Sequence, residues 1–374
     1  MKKIAVLRAN ALGDFIFILP ALQALRDTFP GAEIVLLGKQ WHQAFLSGRP
    51  GPVDRVVVVP PYPGVGEAED YVPDPAVLVT FFAAMAEERF DLAFQVHGGG
   101  RNSNPFVRRL GAARTVGLKT PDAEGLDLHI SYVYHFNETL RYLEVVSAAG
   151  AQPRTIIPKV ETRPSDLEEI MRVLDAPLSR PVAVVHPGAT DIRRRWPPAK
   201  FARIADQLVA AGYLVCITGS ASEDEAAGEL IRHASGQAQI RNLCGRLSLG
   251  GLTGLLAIAG LMVSNDTGPL HLARALNTPT VGLFWCINGI TGLPMVTDLH
   301  RTHVSWHFQC PLCGLPSAEF KRVRNGCRHH TSFIGDIREE DVRGSVAELI
   351  ALLKERSSDV PGAERSSLPE TQAP

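Results

Sequence analysis

The segment "SNDTGPLHLA" places four polar or flexible residues where a buried apolar run gives way to a helical pattern. Thr267 and Gly268 would supply backbone amides at a helix start, which form an anion-binding site. Asp266 could accept hydrogen bonds from ligand hydroxyls such as those of a sugar, and His271 falls on the helix face of Thr267. The alternative is a helix-capping Asp266 with His271 in the core, which leaves Gly268 unexplained. The tripeptide Asp-Thr-Gly also occurs in aspartic proteases, but those need two such carboxylates in a β-rich fold.

A second cluster, "HPGATDIRRRWPPAKF", joins a predicted strand to a helix opened by two prolines. Arginine makes planar, charge-assisted hydrogen bonds, so this loop suits a diphosphate, with Thr190 beside it. Three consecutive arginines cannot all point one way, so at most two would contact the ligand. The alternative is a solvated basic loop.

The N-terminal stretch "RANALGDFIFILPAL" carries a carboxylate where a first strand meets a first helix. A dinucleotide site would have Gly-x-Gly-x-x-Gly here, and only Gly13 is present. Asp14 is therefore either a general base at a strand tip or a cap of the following helix.

Two further loops follow predicted strands. In "TGSASEDEAA", Glu223 either holds ribose hydroxyls or complements the helix dipole. In "QVHGGGRNSNP", three glycines leave the backbone open to a ligand, and we take His97, Gly98 and Arg101 as acceptor-side candidates.

The C-terminal segment contains "CPLC" and "CRHH", residue types that bind zinc. The spacing of Cys310, Cys313, Cys327 and His329 fits no familiar zinc finger. We predict no metal or cofactor and leave a zinc ion at these residues open. No Asp-x-Asp pair follows a predicted strand, so the sequence gives no obvious site for a magnesium-bound diphosphate. The negative charge of a leaving group would then have to be stabilised by arginine and a helix N-terminus.

Strands that alternate with helices predict two parallel α/β domains whose strand ends line a shared cleft. We place an N-terminal domain at 1–160 and a C-terminal domain at 161–356, with a proline-containing linker near 153–164. Residues 357–374 are poor in apolar side chains and are predicted to be disordered.

Composition narrows the class of protein. A hydrophobic content of 45% with 21% charged residues is typical of a globular protein, and a net charge of -1 disfavours nucleic acid as the main partner. The sequence contains no apolar run long enough to span a bilayer, and Arg8, Asn10 and Asp14 interrupt the one near the N-terminus. Six cysteines are not a disulfide framework, so a cytoplasmic location is expected.

Three blocks together resemble the heptosyltransferases of glycosyltransferase family 9: "LRANALGDFIFILPAL", "HPGATDIRRRWPPAKFARIADQL" and "GLLAIAGLMVSNDTGPLHLARALNTPTVGLF". The resemblance implies a GT-B fold of two Rossmann-like domains. It also implies inverting, metal-independent transfer of a sugar, typically heptose, from an ADP-sugar to a lipopolysaccharide core. The partners would then be the nucleotide-sugar donor and a lipid-linked saccharide, with transient contact at the inner face of the cytoplasmic membrane.

The resemblance also implies roles for individual residues. Asp14 matches the catalytic aspartate, and the residues that match donor-binding positions are Thr190, Arg194, Glu223, Leu247, Asp266, Thr267, Gly268 and His271. Arg194 stands where lysine is common in the family, and Ala189 where some members have a hydroxyl residue. Three other functions stay open: a nucleotide-sugar-binding protein without transfer activity, a related transferase that uses another donor sugar, and a partner-binding role for the Cys/His segment at 305–330.

Overall fold

The computed structural model describes residues 1–175, 178–316 and 329–358. The N-terminal part contains a parallel sheet with helices on both faces. Its helices are α1 (Leu12–Thr28), α2 (Gln40–Leu46), α3 (Pro75–Glu87), α4 (Ser103–Arg108) and α5 (Glu138–Ala148). Its strands are β1 (Lys3–Leu7), β2 (Glu33–Gly38), β3 (Arg55–Val58), β4 (Tyr62–Pro63), β5 (Gly66–Glu67), β6 (Leu92–Gln95), β7 (Arg114–Lys119) and β8 (Leu128–Ser131). The main sheet has the order β3-β2-β1-β6-β7-β8, and β4 and β5 pair separately.

The C-terminal part repeats this arrangement. Its helices are α6 (Pro164–Val173), α7 (Pro198–Ala210), α8 (Asp224–His233), α9 (Leu249–Ile258), α10 (Gly268–Ala275), α11 (Cys286–Gly292) and α12 (Glu339–Ser358). Its strands are β9 (Val182–His186), β10 (Leu214–Ile217), β11 (Ile240–Asn242), β12 (Ala259–Asn265), β13 (Thr280–Trp285) and β14 (His300–Ser305). The order β11-β10-β9-β12-β13-β14 has the same topology as the first sheet.

Central strands in both sheets are nearly continuous apolar runs, because helices cover both faces of a parallel sheet. In β1, every residue from Ile4 to Leu7 is buried, and in β9 all five residues are buried. The sequence predicts these strands well for this reason, and it predicts the doubly wound architecture correctly.

The two halves meet where α1 packs against α10. A methyl group added at Gly268 would lie 2.9 Å from Leu12 Cβ and 3.2 Å from the Gly13 nitrogen. Gly268 is therefore explained by close approach of two backbones. This contact brings the N-termini of both helices to the same place.

Several elements were not predicted. They include α5, α11, α12 and the outer strands β7, β8 and β14, whose residues are only partly apolar. The region between Ala151 and Arg163 has no helix or strand. Helix α12 extends to Ser358, and the remainder of the predicted tail lies outside the described residues.

Within the described ranges, no helix has the length and apolar character needed to cross a membrane.

Candidate active site

Two adjoining cavities lie between the two sheets, at the carboxyl ends of their central strands. In each sheet the strand order reverses at the central pair, β1 and β6 or β9 and β12, and ligands of open α/β sheets bind at such a switch point. The larger cavity has a volume of about 600 Å³ and the smaller about 290 Å³. They share Ala11, Gly13, Thr190, Thr267 and Gly268, so they form one groove.

The structure brings together the catalytic and donor-side residues predicted from the sequence. The larger cavity is lined by Glu223 and Leu247, and the smaller one by Asp14, Arg194, Asp266 and His271. Thr190, Thr267 and Gly268 line both. Since the first turn of a helix carries unpaired amides and a partial positive charge, the α1 and α10 N-termini favour an anion at the junction.

Asp14 stands in the first turn of α1 with its side chain 37% exposed. The Arg8 guanidinium, only 3% exposed, donates a 2.8 Å hydrogen bond from Nη2 to Asp14 Oδ1. The Ala11 amide donates to Asp14 Oδ2 at 3.3 Å. Asp14 therefore makes a helix-capping contact and also presents a fixed carboxylate to the smaller cavity.

Arg8 is held in place from several sides. Its Nη1 donates to the Val96 carbonyl at 2.6 Å, and its guanidinium lies 4.7 Å from the centre of the Tyr142 ring. The Glu138 carboxylate is 4.0 Å from Arg8 Nη2 and accepts a hydrogen bond from the Tyr142 hydroxyl. Burial raises the pKa of Tyr142 well above its ordinary value, so this phenol stays protonated and acts as a donor.

Asp266 has a different environment. One oxygen is 3.0 Å from His271 Nε2 and the other is 3.4 Å from Arg194 Nη1. Burial disfavours the charged carboxylate, but the His271 hydrogen bond and nearby cations outweigh it and lower the Asp266 pKa. Burial lowers the pKa of His271 despite this partner. Both Asp266 oxygens thus have protein partners, so Asp266 orients Arg194 and His271 at the wall of the smaller cavity.

The arginine triplet divides its side chains among three directions. Arg193 pairs with Asp191 at 2.6 Å, whereas Arg195 donates from Nε to the Ala189 carbonyl at 2.8 Å and lines the larger cavity. Arg194 lines the smaller cavity. Two of the three arginines thus face the groove, in agreement with the steric limit inferred from the sequence.

Glu223 closes one wall of the larger cavity. Its Oε2 accepts hydrogen bonds from the Ser220 amide at 2.8 Å and the Ser220 hydroxyl at 2.9 Å. A Cβ atom at Gly188 would collide with Glu223 Oε1, and one at Gly219 would lie 3.1 Å from Glu223 Cβ. The Glu223 side chain therefore occupies space that the absence of a Cβ atom at Gly188 leaves open.

A model described as glycosyltransferase family 9 (heptosyltransferase) matches residues 82–291, more than half of the chain. The chain belongs to glycosyltransferase family 9. Lipopolysaccharide heptosyltransferase 2 of Salmonella typhimurium is 26% identical over 75% of this chain and 82% of its own length. Two solved Escherichia coli structures share the GT-B fold. ADP-heptose lps heptosyltransferase II has a TM-score of 0.71 at 22% identity, covering 95% of this chain and 100% of that one. Heptosyltransferase WaaC with ADP has a TM-score of 0.67 at 18% identity, covering 93% and 99%.

The three acceptor-side candidates, His97, Gly98 and Arg101, lie in different environments. His97 is buried, and its Nδ1 accepts from the Ala9 amide at 3.2 Å while Nε2 contacts the Gly64 carbonyl at 3.1 Å. Both ring nitrogens are occupied, so His97 joins two loops and offers no polar atom to an acceptor. Gly98 adopts a left-handed conformation with φ of 69°. The Arg101 side chain is 69% exposed and its guanidinium lies 3.8 Å from Asp122, so of the three candidates Arg101 presents a charged group to solvent.

Sequence reasoning missed several residues of the groove. Glu138, Asn288 and Thr291 line the smaller cavity, and Arg195 lines the larger one. Glu138 follows Asn137, which caps α5 through its side chain. The pair Asn137-Glu138 has the residue types of a helix start. Because strand β8 was not predicted from the sequence, this helix start could not be placed at the end of a strand.

Cys310, Cys313 and His329 lie together outside the groove, with one ligand atom of each within 4.8 Å of the others. Cys327 belongs to the residues that the structure does not describe. The sequence left this group open, and the structure assembles three of its four members.

Proposed function

We propose that this glycosyltransferase moves a heptose from ADP-heptose to a hydroxyl of a lipopolysaccharide-core acceptor, with inversion and without a metal ion. One observation supports this most strongly. A partly exposed carboxylate, Asp14, lines the same cavity as Arg194 and the N-terminus of α10. The cavity therefore combines a general base with groups that stabilise a departing anion.

The larger cavity suits the nucleoside of the donor. Its volume lies within the range of small-molecule sites, and its lining includes the apolar side chain of Leu247 and the carboxylate of Glu223. In the proposed complex Glu223 accepts hydrogen bonds from ribose hydroxyls and the adenine lies near Leu247. The diphosphate then reaches the junction of the cavities, where Thr190 and the Thr267 and Gly268 amides lie.

The reaction is a single displacement at the anomeric carbon. Asp14 takes the proton of the acceptor hydroxyl as its oxygen forms a bond to that carbon, while the bond to the diphosphate oxygen breaks. The developing oxocarbenium character is the same as in glycoside hydrolysis. Negative charge on the leaving ADP is stabilised by Arg194 and by the two helix N-termini.

The charges around the groove support metal-independent transfer. Asp266 is already paired with Arg194 and His271, Glu223 with Ser220, and Asp14 with Arg8. The diphosphate meets arginine and helix N-termini at the junction, so these fixed positive groups perform the task that a cation performs elsewhere.

The acceptor approaches from the N-terminal sheet. The loop near 97–104 is tied to the loop near 60–72 by the His97 contact with Gly64. Arg101 extends into solvent from this surface and would attract an acidic saccharide. We propose that the protein acts at the inner face of the cytoplasmic membrane, through transient contact with its lipid-linked substrate.

Thermal unfolding with ADP, UDP, GDP and ADP-heptose tests the donor half of this proposal. A ligand at about 100 times its Kd adds roughly 2.7 kcal/mol to the free energy of unfolding. We expect ADP and ADP-heptose to raise the Tm selectively. Stabilisation by UDP or GDP instead would overturn the ADP-heptose assignment.

Release of ADP tests the transfer half. With ADP-heptose and a heptose-deficient core lipid, we expect stoichiometric ADP and a glycosylated product. Binding of ADP-heptose without ADP release across core acceptors would favour the nucleotide-sugar-binding alternative. Adding EDTA should leave the transfer rate unchanged, and a loss restored by Mg²⁺ would contradict metal independence.

A further inference from the structure

The three-residue cluster of Cys310, Cys313 and His329 has the geometry of a metal centre. Cys310 Sγ and His329 Nδ1 are 3.6 Å apart, and one ligand atom from each of the three residues lies within 4.8 Å of the others. A tetrahedral zinc ion with Zn–S bonds of about 2.3 Å and Zn–N bonds of about 2.0 Å separates its sulfur and nitrogen ligands by about 3.5 Å. We propose that these residues bind a structural zinc ion, a departure from the sequence-based expectation of no metal.

The loop that carries both cysteines is shaped to bring their sulfurs together. The Cys310 amide donates to the Leu315 carbonyl and the Gly314 amide donates to the Cys310 carbonyl, both at 2.9 Å. Gln309 and Pro316 form an antiparallel bridge that closes the loop. Gly314, with φ of 70°, adopts the left-handed conformation that such a turn requires. Cys-x-x-Cys in a closed turn is a common ligand arrangement for zinc.

The third ligand comes from a separate segment, which makes the cluster more than a local turn. His329 is 19 positions after Cys310, and its segment is anchored by buried Phe333. The Phe333 carbonyl accepts from Ser305 Oγ at 2.6 Å, and its amide donates to the Arg193 carbonyl at 2.8 Å. Zinc would therefore fasten two segments behind the loop that carries Arg194.

Two thiolates and an imidazole select the metal by their chemistry. Soft sulfur ligands with nitrogen in a tetrahedral arrangement favour zinc over the hard cations Mg²⁺ and Ca²⁺. A fourth donor, from solvent or from the chain, completes the coordination. None of the three residues lines the substrate groove, so this metal has a structural role separate from the proposed transfer reaction.

Metal content of the full-length protein tests the proposal. We expect wild-type protein grown with equal zinc and iron to carry close to one zinc per chain. Cys313→Ser and His329→Gln should carry less than about a tenth of that, since each removes one of three ligands. Both side chains lie in exposed residues, so these changes spare the core. Cys216→Ala, which removes a buried thiol from β10, is the matched control and should retain zinc.

A second measurement follows the metal through its effect on stability. Chelation of wild-type protein should lower its Tm, added Zn²⁺ should restore it, and Cys313→Ser should respond to neither. Replacement by Co²⁺ should give the visible absorption of a tetrahedral thiolate site. Wild-type protein without metal, iron in place of zinc, or a zinc content unchanged by both ligand substitutions would overturn the proposal. ADP binding is measured separately, so failure here leaves the proposed transfer reaction untouched.

Discussion

The two switch points have the same topology but opposite exposure of their charged groups. Behind β1, the cation Arg8 is buried and its partner Asp14 is exposed to the cavity. Behind β12, the carboxylate Asp266 is 6% exposed and its partner Arg194 is 23% exposed. The N-terminal half thus presents a negative group to the groove, and the C-terminal half presents a positive one.

In the proposed reaction, this difference in which partner is buried gives two similar folds different roles. A carboxylate supported from below by a buried cation can accept a proton from a neutral hydroxyl. A guanidinium supported by a buried carboxylate can bind a diphosphate without changing its own charge. Topology therefore sets where the charged groups lie, and the burial of one partner in each pair sets which charge faces the groove.

The largest expected effect comes from removing the exposed carboxylate. Asp14→Ala should lower the transfer rate by about 10²-fold or more, the usual contribution of a general base, and leave ADP affinity nearly unchanged. Rate measurements at saturating ADP-heptose, with ADP titration calorimetry, separate the two. A variant with wild-type turnover would reduce Asp14 to a helix cap.

Removing the exposed cation should act on binding first. Arg194→Met keeps the aliphatic stem but loses charge-assisted hydrogen bonds, each worth about 1.5–3 kcal/mol, so ADP affinity should fall about 10- to 100-fold. Arg193→Met is the matched control, because that side chain pairs with Asp191 and not with the groove. Equal losses in both variants would mean that the loop, and not the Arg194 charge, binds ADP.

The polar residues at both switch points could be predicted from the sequence because each group follows an apolar strand, as in "LMVSNDTG". The difference in burial between Asp14 and Asp266 could not be predicted from the sequence, because the exposure of each depends on packing across the interface between the halves. The place of Glu138 in the groove could not be predicted, because the preceding strand β8, Leu128–Ser131, alternates partly buried and exposed residues and lacks an apolar run. For Gly268, the sequence predicts an anion-binding amide but not the close approach to Leu12, which is distant in the chain.

The contact between the two helix N-termini can be tested by adding a methyl group. Gly268→Ala places a Cβ atom within 2.9 Å of Leu12 Cβ and 3.2 Å of backbone at Gly13, and neither can move freely. Overpacking of this kind costs about 1–3 kcal/mol of unfolding free energy, measurable by urea denaturation. Gly344→Ala, exposed within α12 with no atom near its Cβ position, should instead be neutral or stabilising. A Gly268→Ala variant of wild-type stability would mean that the two halves can separate at this point.

At neutral pH, the smallest effect on stability should come from the titration of His97, which lies beside the N-terminal switch point. Burial lowers the pKa of His97 to about 3, so it stays neutral in the folded protein, whereas an unfolded chain protonates it near pH 6.5. Its contribution to stability is therefore complete above pH 6.5 and falls with decreasing pH, by about 2 kcal/mol at pH 5.

We expect His97→Gln to flatten the dependence of unfolding free energy on pH between 7 and 5 (roughly the range set by these pKa values). Buried His42 and partly buried His300, whose pKa values fall to about 3 and about 4, leave a residual slope in the variant. His233→Gln, the same exchange of residue types at an exposed position, is the control. Parallel curves for wild type and His97→Gln would show that His97 titrates alike in the folded and unfolded chains. Its hydrogen bonds to Ala9 and Gly64 would then not keep the imidazole neutral in the folded protein.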